Sequence, residues 1–254
     1  MKHKKYLVVA NWKMNLTLSK SVFLIKQCKK LKLNNVELVI APSYPVLPAA
    51  NKLLKRSKIK IGAQNCAEKD FGALTGEVSP AMLVELGCSY VILGHSERKN
   101  FFKEDFIMVN RKIKTAVQYG LIPIVCVGED WNEKQEGRTA AVVAKQISEA
   151  LQGVDPQKDE VIVVSYEPFW TISTSRGSRA ATTKEVEESC QMIRHVLIEI
   201  YGIDKFNKNF KVIYGGTVNE QTIEFFSRID ILEGFLVGGA SLDCYGFQKL
   251  INEI

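Results

Sequence analysis

The sequence predicts a (β/α)8 barrel formed by one domain over residues 1–254. Short apolar runs alternate with longer amphipathic segments from end to end, and no Pro-, Gly- or Ser-rich linker divides the chain. The strand candidates are residues 6–10, 37–41, 60–63, 90–93, 122–127, 161–165, 211–214 and 234–237. A doubly wound open sheet is the alternative, but Asn11, Trp12 and Lys13 follow the first strand where that fold carries a glycine-rich turn.

Helix boundaries are visible between several of these strands. Ser79 followed by Pro80 predicts a helix start, and Gly87 predicts its end. Thr182 with Glu185 three residues later has the spacing of a capping box. Asn219 is a further candidate cap.

Composition and charge limit the classes of function. The formal net charge is +6, but the lysines are not interleaved with aromatic residues, so nucleic acid is not a predicted partner. No apolar run has the length of a signal peptide core or a membrane span. Six cysteines at wide, irregular intervals lack zinc-binding spacing and indicate reduced thiols. We expect a soluble, cytoplasmic protein with no metal, cofactor or membrane partner.

The sixth strand candidate ends in a carboxylate, Glu167, which is followed by Pro168. Proline cannot continue a central ladder, so Glu167 is predicted to lie at the end of the sheet. A polar segment follows, with the composition of a mobile flap that closes over the carboxylate and shields it from water. The alternative is that Glu167 merely caps a strand end. The predicted flap residues are Pro168, Phe169, Trp170, Ile172, Ser173, Ser175 and Arg176.

Two glycine pairs follow the last two strand candidates, and both predict phosphate binding. Gly215 and Gly216 precede Thr217, and Gly238 and Gly239 precede another apparent helix start. Free backbone N–H groups at such turns bind anions, and the Thr217 hydroxyl is a possible further donor. The loops after the seventh and eighth strands are the usual phosphate site of this fold.

Lys13 and His95 complete a set of chemical groups at the predicted strand ends. Lys13 provides a cation for a phosphate or a developing oxyanion. His95 precedes Ser96 and Glu97, a predicted N-cap and first turn, where the helix dipole favours a neutral imidazole that donates to a carbonyl oxygen. A carboxylate base, a neutral donor, a cation and an anion site suit proton abstraction beside a carbonyl. The alternatives are a surface lysine paired to Glu97 and a histidine that packs a strand end.

These segments resemble the triosephosphate isomerase family along the whole chain. The matching segments are residues 11–15, 75–79, 94–98, 166–170, 214–218 and 234–242. The resemblance implies interconversion of dihydroxyacetone phosphate and D-glyceraldehyde 3-phosphate through an enediolate, with Glu167 as the base and neutral His95 as the electrophile. It also implies that Lys13 stabilises the enediolate and holds the phosphate, that Asn11 orients the substrate and that Glu97 positions Lys13.

The resemblance further implies how substrate and subunits are bound. Ser173, Thr217, Gly238 and Gly239 match the family's phosphate-binding backbone, and Ile172 and Leu236 match an apolar pair that closes over the carboxylate. Residues 71–79 resemble a loop inserted into a second subunit, with Thr75 reaching the partner's site. This likeness predicts a homodimer.

The sequence departs from the family pattern in the flap. Ser173 and Ser175 stand where glycines are usual, and residues 177–180 lengthen the return to the next helix. A serine keeps the N–H group but disfavours positive φ by about 1 kcal/mol, so the phosphate contact is expected to survive while flap closure shifts. Lys99 stands where a second arginine is common, and Thr217 where serine is usual.

Two other functions remain open from the sequence. An isomerase of a four-carbon sugar phosphate is favoured by the altered flap, although residues 237–241 have the triose-type ending. A non-catalytic binding protein would be expected to have lost a catalytic residue, and none is lost.

Overall fold

A computed structural model describes residues 4–171 and 179–254. The predicted barrel is confirmed: eight parallel strands are hydrogen-bonded in sequence order, and β1 closes the barrel against β8. The strands are β1 (Tyr6–Asn11), β2 (Val36–Ala41), β3 (Lys60–Ala63), β4 (Cys88–Leu93), β5 (Ile122–Val127), β6 (Ile162–Tyr166), β7 (Phe210–Tyr214) and β8 (Gly234–Val237).

Helices follow the strands and cover the outside of the barrel. In the described chain they are α1 (Leu18–Cys28), α2 (Leu47–Leu54), α3 (Pro80–Glu85), α4 (Ser96–Phe102), α5 (Phe106–Gln118), α6 (Trp131–Gln135), α7 (Thr139–Ala150), α8 (Thr183–Tyr201), α9 (Ile203–Asn209), α10 (Glu220–Ser227) and α11 (Cys244–Asn252).

Alternation along each strand builds two apolar layers. Leu7 and Val9 point into the barrel, whereas Val8 and Ala10 belong to the layer between the strands and the helices. Both faces of these strands are therefore buried, which explains the near-continuous apolar runs in the sequence. Gly234 is needed where β8 meets β1, since an added Cβ would lie 2.0 Å from the Leu7 carbonyl oxygen.

The predicted helix starts are confirmed, and some strand ends differ slightly from prediction. Ser79, Thr182 and Asn219 cap α3, α8 and α10 through their side chains. The sixth strand runs one residue later than predicted because its ladder with β7 extends from Ile162 to Tyr166. Glu167 thus remains the first residue after the strand.

The described cysteines form no disulfide, and five of the six are buried. Among the described helices, none combines the length and apolar character that crossing a bilayer requires.

Candidate active site

One cavity of about 270 Å³ lies at the carboxyl ends of the strands. It brings together residues that follow β1, β4, β6, β7 and β8, so the predicted convergence of distant segments is found. Seven predicted site residues line it: Asn11, Lys13, His95, Glu167, Thr217, Gly238 and Gly239.

The Glu167 carboxylate is buried, accepts one backbone hydrogen bond and lies in close contact with His95. Its Oε2 accepts from the Ser96 backbone N–H at 3.0 Å, and its Oε1 lies 3.1 Å from His95 Nε2. The Glu167 N–H donates to the Val127 carbonyl oxygen at 2.7 Å, which continues the ladder between β5 and β6. The barrel therefore fixes the backbone of the carboxylate, and the start of α4 fixes its side chain.

His95 is the N-cap of α4, a role that the sequence prediction gave wrongly to Ser96. The His95 Nδ1 accepts the Glu97 backbone N–H at 3.3 Å, so the imidazole takes the place of a capping oxygen. A nitrogen that accepts a hydrogen bond carries no proton, so the ring is neutral with its hydrogen on Nε2. Nε2 is the ring nitrogen closest to the Glu167 carboxylate. Because His95 caps the helix, the Ser96 N–H is left to bind the carboxylate.

Lys13 is fixed through both its backbone and its side chain. Its φ of 50° lies in the left-handed region, where a residue with a Cβ is strained. Its N–H donates to Asn11 Oδ1 at 3.1 Å, and Gln64 Nε2 donates to its carbonyl oxygen at 2.9 Å. The Lys13 Nζ lies 2.6 Å from Glu97 Oε1. Asn11 and Glu97 thus hold Lys13 at the cavity, and Gln64 is a further support to which the sequence analysis gave no role.

The opposite wall of the cavity consists of backbone from the turns after β7 and β8. Within residues 4–171 and 179–254, the N–H groups of Gly216, Thr217 and Gly239 donate to no other residue. The Thr217 hydroxyl donates to the Thr171 carbonyl oxygen, so its predicted role as an anion donor falls to its backbone N–H. Such unpaired N–H groups are suited to a phosphate.

Comparison with known proteins agrees with this geometry. The family model for triosephosphate isomerase matches residues 6–254. The triosephosphate isomerase of Dictyoglomus turgidum is 42% identical over 251 residues, which cover 98% of this chain and 99% of that protein. That of Clostridium tetani is 40% identical over 250 residues, or 98% of this chain and 96% of that protein.

The chain belongs to the triosephosphate isomerase family. The resemblance drawn from the sequence motifs is thereby confirmed. The match extends over nearly the full length of these relatives.

In this member of the triosephosphate isomerase family, the first residues of the predicted flap lie beside the buried Glu129 carboxylate. Trp170 Nε1 donates to Glu129 Oε1 at 3.0 Å, and the Tyr166 hydroxyl lies 3.1 Å from both Glu129 oxygens. Burial, followed by the Glu129 charge, raises the pKa of Tyr166 well above its usual value, so the hydroxyl stays protonated and donates. The sequence analysis gave Glu129 no role, although it lies two residues after the end of β5. Pro168, Phe169 and Trp170 lie in the described chain, whereas Ile172, Ser173, Ser175 and Arg176 lie outside it.

A glycine allows the ends of β5 and β6 to approach closely at this point. A Cβ on Gly128 would lie 2.1 Å from the Glu167 carbonyl oxygen. The buried Gln146 side chain bonds both the N–H and the carbonyl of Gly128 at 2.8 Å. The position of Glu167 therefore depends on the absence of a side chain at Gly128, the residue that follows β5.

Thr75 is exposed in the segment between β3 and α3 and does not line the cavity of its own chain. The described residues contain no group of three or more His, Cys, Asp or Glu side chains arranged to hold a metal ion.

Proposed function

We propose that this chain interconverts dihydroxyacetone phosphate and D-glyceraldehyde 3-phosphate through a single catalytic domain spanning residues 1–254. Family membership supports the reaction. The observation that carries the residue roles is the pairing of a buried Glu167 carboxylate with the Nε2–H of a neutral His95, 3.1 Å apart, at a cavity with unpaired backbone N–H groups on its far side.

In the proposed reaction, the substrate carbonyl oxygen accepts the His95 Nε2–H, which ends the close contact of that nitrogen with Glu167 Oε1. The freed carboxylate removes a proton from the carbon next to the carbonyl, and the electron pair of that C–H bond forms the double bond of the enediolate. His95 Nε2–H and the Lys13 ammonium stabilise the negative oxygen. His95 Nε2 gives its proton to the negative oxygen and takes the proton of the neighbouring hydroxyl, so that this second oxygen becomes the new carbonyl oxygen. Return of the proton from Glu167 to the carbon that carried the original carbonyl completes the isomerisation.

The phosphate is proposed to bind the N–H groups of Thr217, Gly238 and Gly239, with Lys13 as the balancing charge and Asn11 as the group that orients the substrate. Ser173 is proposed as a further contact on the basis of the sequence resemblance. The net charge of +6 favours the approach of an anionic substrate.

Steady-state kinetics of the unmodified protein and of Glu167→Asp test this proposal. The shorter side chain withdraws the base from the carbon, so we expect kcat to fall at least about 100-fold with a much smaller change in KM. Glu187→Asp, on the exposed face of α8, is the matched control and is expected to retain full activity. An unmodified protein without activity on glyceraldehyde 3-phosphate, or with activity only on a four-carbon phosphate, would contradict the proposal.

We also propose a homodimer in which Thr75 enters the partner's site. A second cavity of about 500 Å³ adjoins the first and shares Asn11, Lys13 and His95 with it. Its outer lining includes Met14, Phe101 and Phe102, whose side chains are exposed in the single chain. Phe71 and Leu74 are exposed in the segment that carries Thr75, so two copies have apolar surface to bury against each other.

Sedimentation of Thr75→Arg tests the dimer. In the proposed dimer, residue 75 enters a closed pocket of the partner, where the longer and charged arginine side chain does not fit. We therefore expect Thr75→Arg to shift the protein towards monomer and to reduce activity. Lys55→Arg, on the exposed end of α2, should do neither. A monomeric unmodified protein with full activity would contradict this part of the proposal. A cytoplasmic location and the lack of nucleic-acid or membrane partners also remain predictions, which cell fractionation and binding assays test.

A further inference from the structure

Lys99 lies on α4 one turn after His95, and its ammonium lies between two aromatic rings. Its Nζ is 4.2 Å from the ring centroid of Phe169 and 4.8 Å from that of Phe106. A cation at this distance from an aromatic face is attracted by the electrons of the ring. The side chain thus joins the start of the flap to α4 and α5.

The contact with Phe169 bears directly on Glu167, because only Pro168 separates them. Phe169 is also held by its N–H, which donates to the Glu129 carbonyl oxygen at 3.0 Å. Lys99 contacts its ring, and the ring has no other charged side chain within cation–π distance in the described chain. The barrel therefore holds the Phe169 backbone, and Lys99 contacts the Phe169 ring.

We propose that Lys99 is a positioning residue for Glu167, holding the segment after the carboxylate against the same helix that carries His95 and the Ser96 N–H. The proposal rests on the proposed isomerase function and goes beyond it, since it concerns a residue that does not line the cavity. In this arrangement α4 acts at two points. Its cap and first N–H group hold the imidazole and the carboxylate, and Lys99 one turn later holds the Phe169 ring.

The charge on Lys99 is sensitive to pH near neutrality. Burial lowers the pKa of Lys99 to about 8, although Glu133, Glu167, Asp130 and Cys126 act in the opposite direction. Glu133 and Asp130 belong to α6 and its cap, Glu167 follows β6, and Cys126 lies on β5. Lys99 is charged below about pH 8 and loses its attraction to Phe169 as the pH rises through that value.

An arginine at this position would not show this behaviour. A guanidinium stays protonated at any pH compatible with folding, so it would keep the contact with Phe169 under alkaline conditions. We therefore expect activity of this chain to have an alkaline limb that Lys99→Arg removes.

The experiment measures kcat and KM between pH 6.5 and 10 for the unmodified protein, Lys99→Arg and Lys99→Met. We expect kcat of the unmodified protein to fall about three- to tenfold as the pH rises through 8, with KM little changed. This fold-change corresponds to the loss of one cation–π contact. Lys99→Arg should remain active across that range. Lys99→Met should show the reduced kcat at every pH and no step near pH 8. Lys145→Met, at an exposed surface pair on α7, should keep the profile of the unmodified protein.

The free energy of unfolding is expected to change with pH in the opposite direction to the activity. The pKa of Lys99 is lower in the folded chain than the usual 10.5, so between about pH 8 and 10.5 the unfolded chain binds more protons than the folded one. The stability of the unmodified protein relative to Lys99→Met should therefore rise with pH in that window. Activity that falls while relative stability rises separates positioning from a general structural role.

The alkaline limb persisting in Lys99→Arg, or Lys99→Met matching the unmodified protein at every pH, would overturn the proposal. If the unmodified protein showed no isomerase activity, the proposed function would fail first. NMR titration of the Lys99 Nζ and the Glu167 carboxyl carbon would then decide the positioning role. A Glu167 signal that follows the Lys99 titration supports it, and one that does not respond overturns it.

Discussion

Two walls of the same cavity are built in different ways. At the ends of β1, β4 and β6, side chains project and are tied to one another: Lys13 to Glu97, and Glu167 to His95 and Ser96. At the ends of β7 and β8, glycines expose backbone N–H groups, and little projects into the cavity. The first wall is suited to moving a proton, and the second is suited to holding a phosphate.

The comparison explains why the two walls tolerate different changes. On the first wall a lost side chain removes a chemical group and also frees its partner, because each group is held by another. On the second wall an added side chain is the damaging change, because a Cβ occupies space that the backbone or the ligand needs. Three variants on the two walls test this contrast, and a fourth variant extends the test to the flap.

The largest effect is expected on the first wall, from His95→Gln. Glutamine replaces the neutral donor with a group of different reach, and Glu167 loses its close contact with the imidazole. We expect kcat to fall about 10²- to 10³-fold with little change in KM. His195→Gln, on the exposed side of α8 where His195 pairs with Glu199, is the matched control. An effect confined to KM would show that His95 binds substrate without assisting the reaction.

A smaller effect is expected on the second wall, where Gly216→Ala and Gly239→Ala should differ from each other. A Cβ on Gly216 would lie 2.2 Å from the Tyr214 Oη, so we expect a loss of about 1–3 kcal/mol in unfolding free energy. A Cβ on Gly239 would meet nothing within 4 Å, so stability should be unchanged while KM rises about tenfold. Thermal melts and steady-state kinetics of both variants measure this. Equal losses of unfolding free energy in the two variants would contradict the view that Gly216 is needed for packing and Gly239 for phosphate binding.

The smallest effect is expected in the flap, from Ser173→Gly combined with Ser175→Gly. Restored glycines remove a preference worth about 1 kcal/mol against positive φ, which corresponds to a change of about fivefold. The change should appear in phosphate affinity or in the kinetics of closure and not in unfolding free energy. Competition by inorganic phosphate and viscosity-dependent kinetics measure this change. If the variant matched the unmodified protein in both measurements, our interpretation of Ser173 and Ser175 would be contradicted.

The sequence predicted the barrel because each strand and each helix cap leaves a local signal. Apolar runs marked the strands to within about two residues, and Thr182 with Glu185 marked the start of α8. Glu167 was found as a carboxylate at a strand end, and Gly238 and Gly239 as a turn with free N–H groups. Each of these inferences needs only neighbours in the chain.

Contacts between distant residues could not be predicted in this way. The capping role of His95 depends on the orientation of its ring, so the sequence favoured the more usual serine. Gln64 and Glu129 have no local motif, and their importance comes from bonds to Lys13 and Trp170. Gly128 resembles any glycine at a strand end until the Glu167 carbonyl is seen to lie against it.

The sequence by itself determined which residues stand at the eight strand ends and therefore which chemical groups are available. Only the tertiary structure decided their hydrogen bonds, ring orientations and close approaches. The physical reason is that closure of the barrel brings together residues that are far apart along the chain, such as Ser96 and Glu167. Energies at those contacts depend on distances of a few tenths of an ångström, which no local pattern encodes.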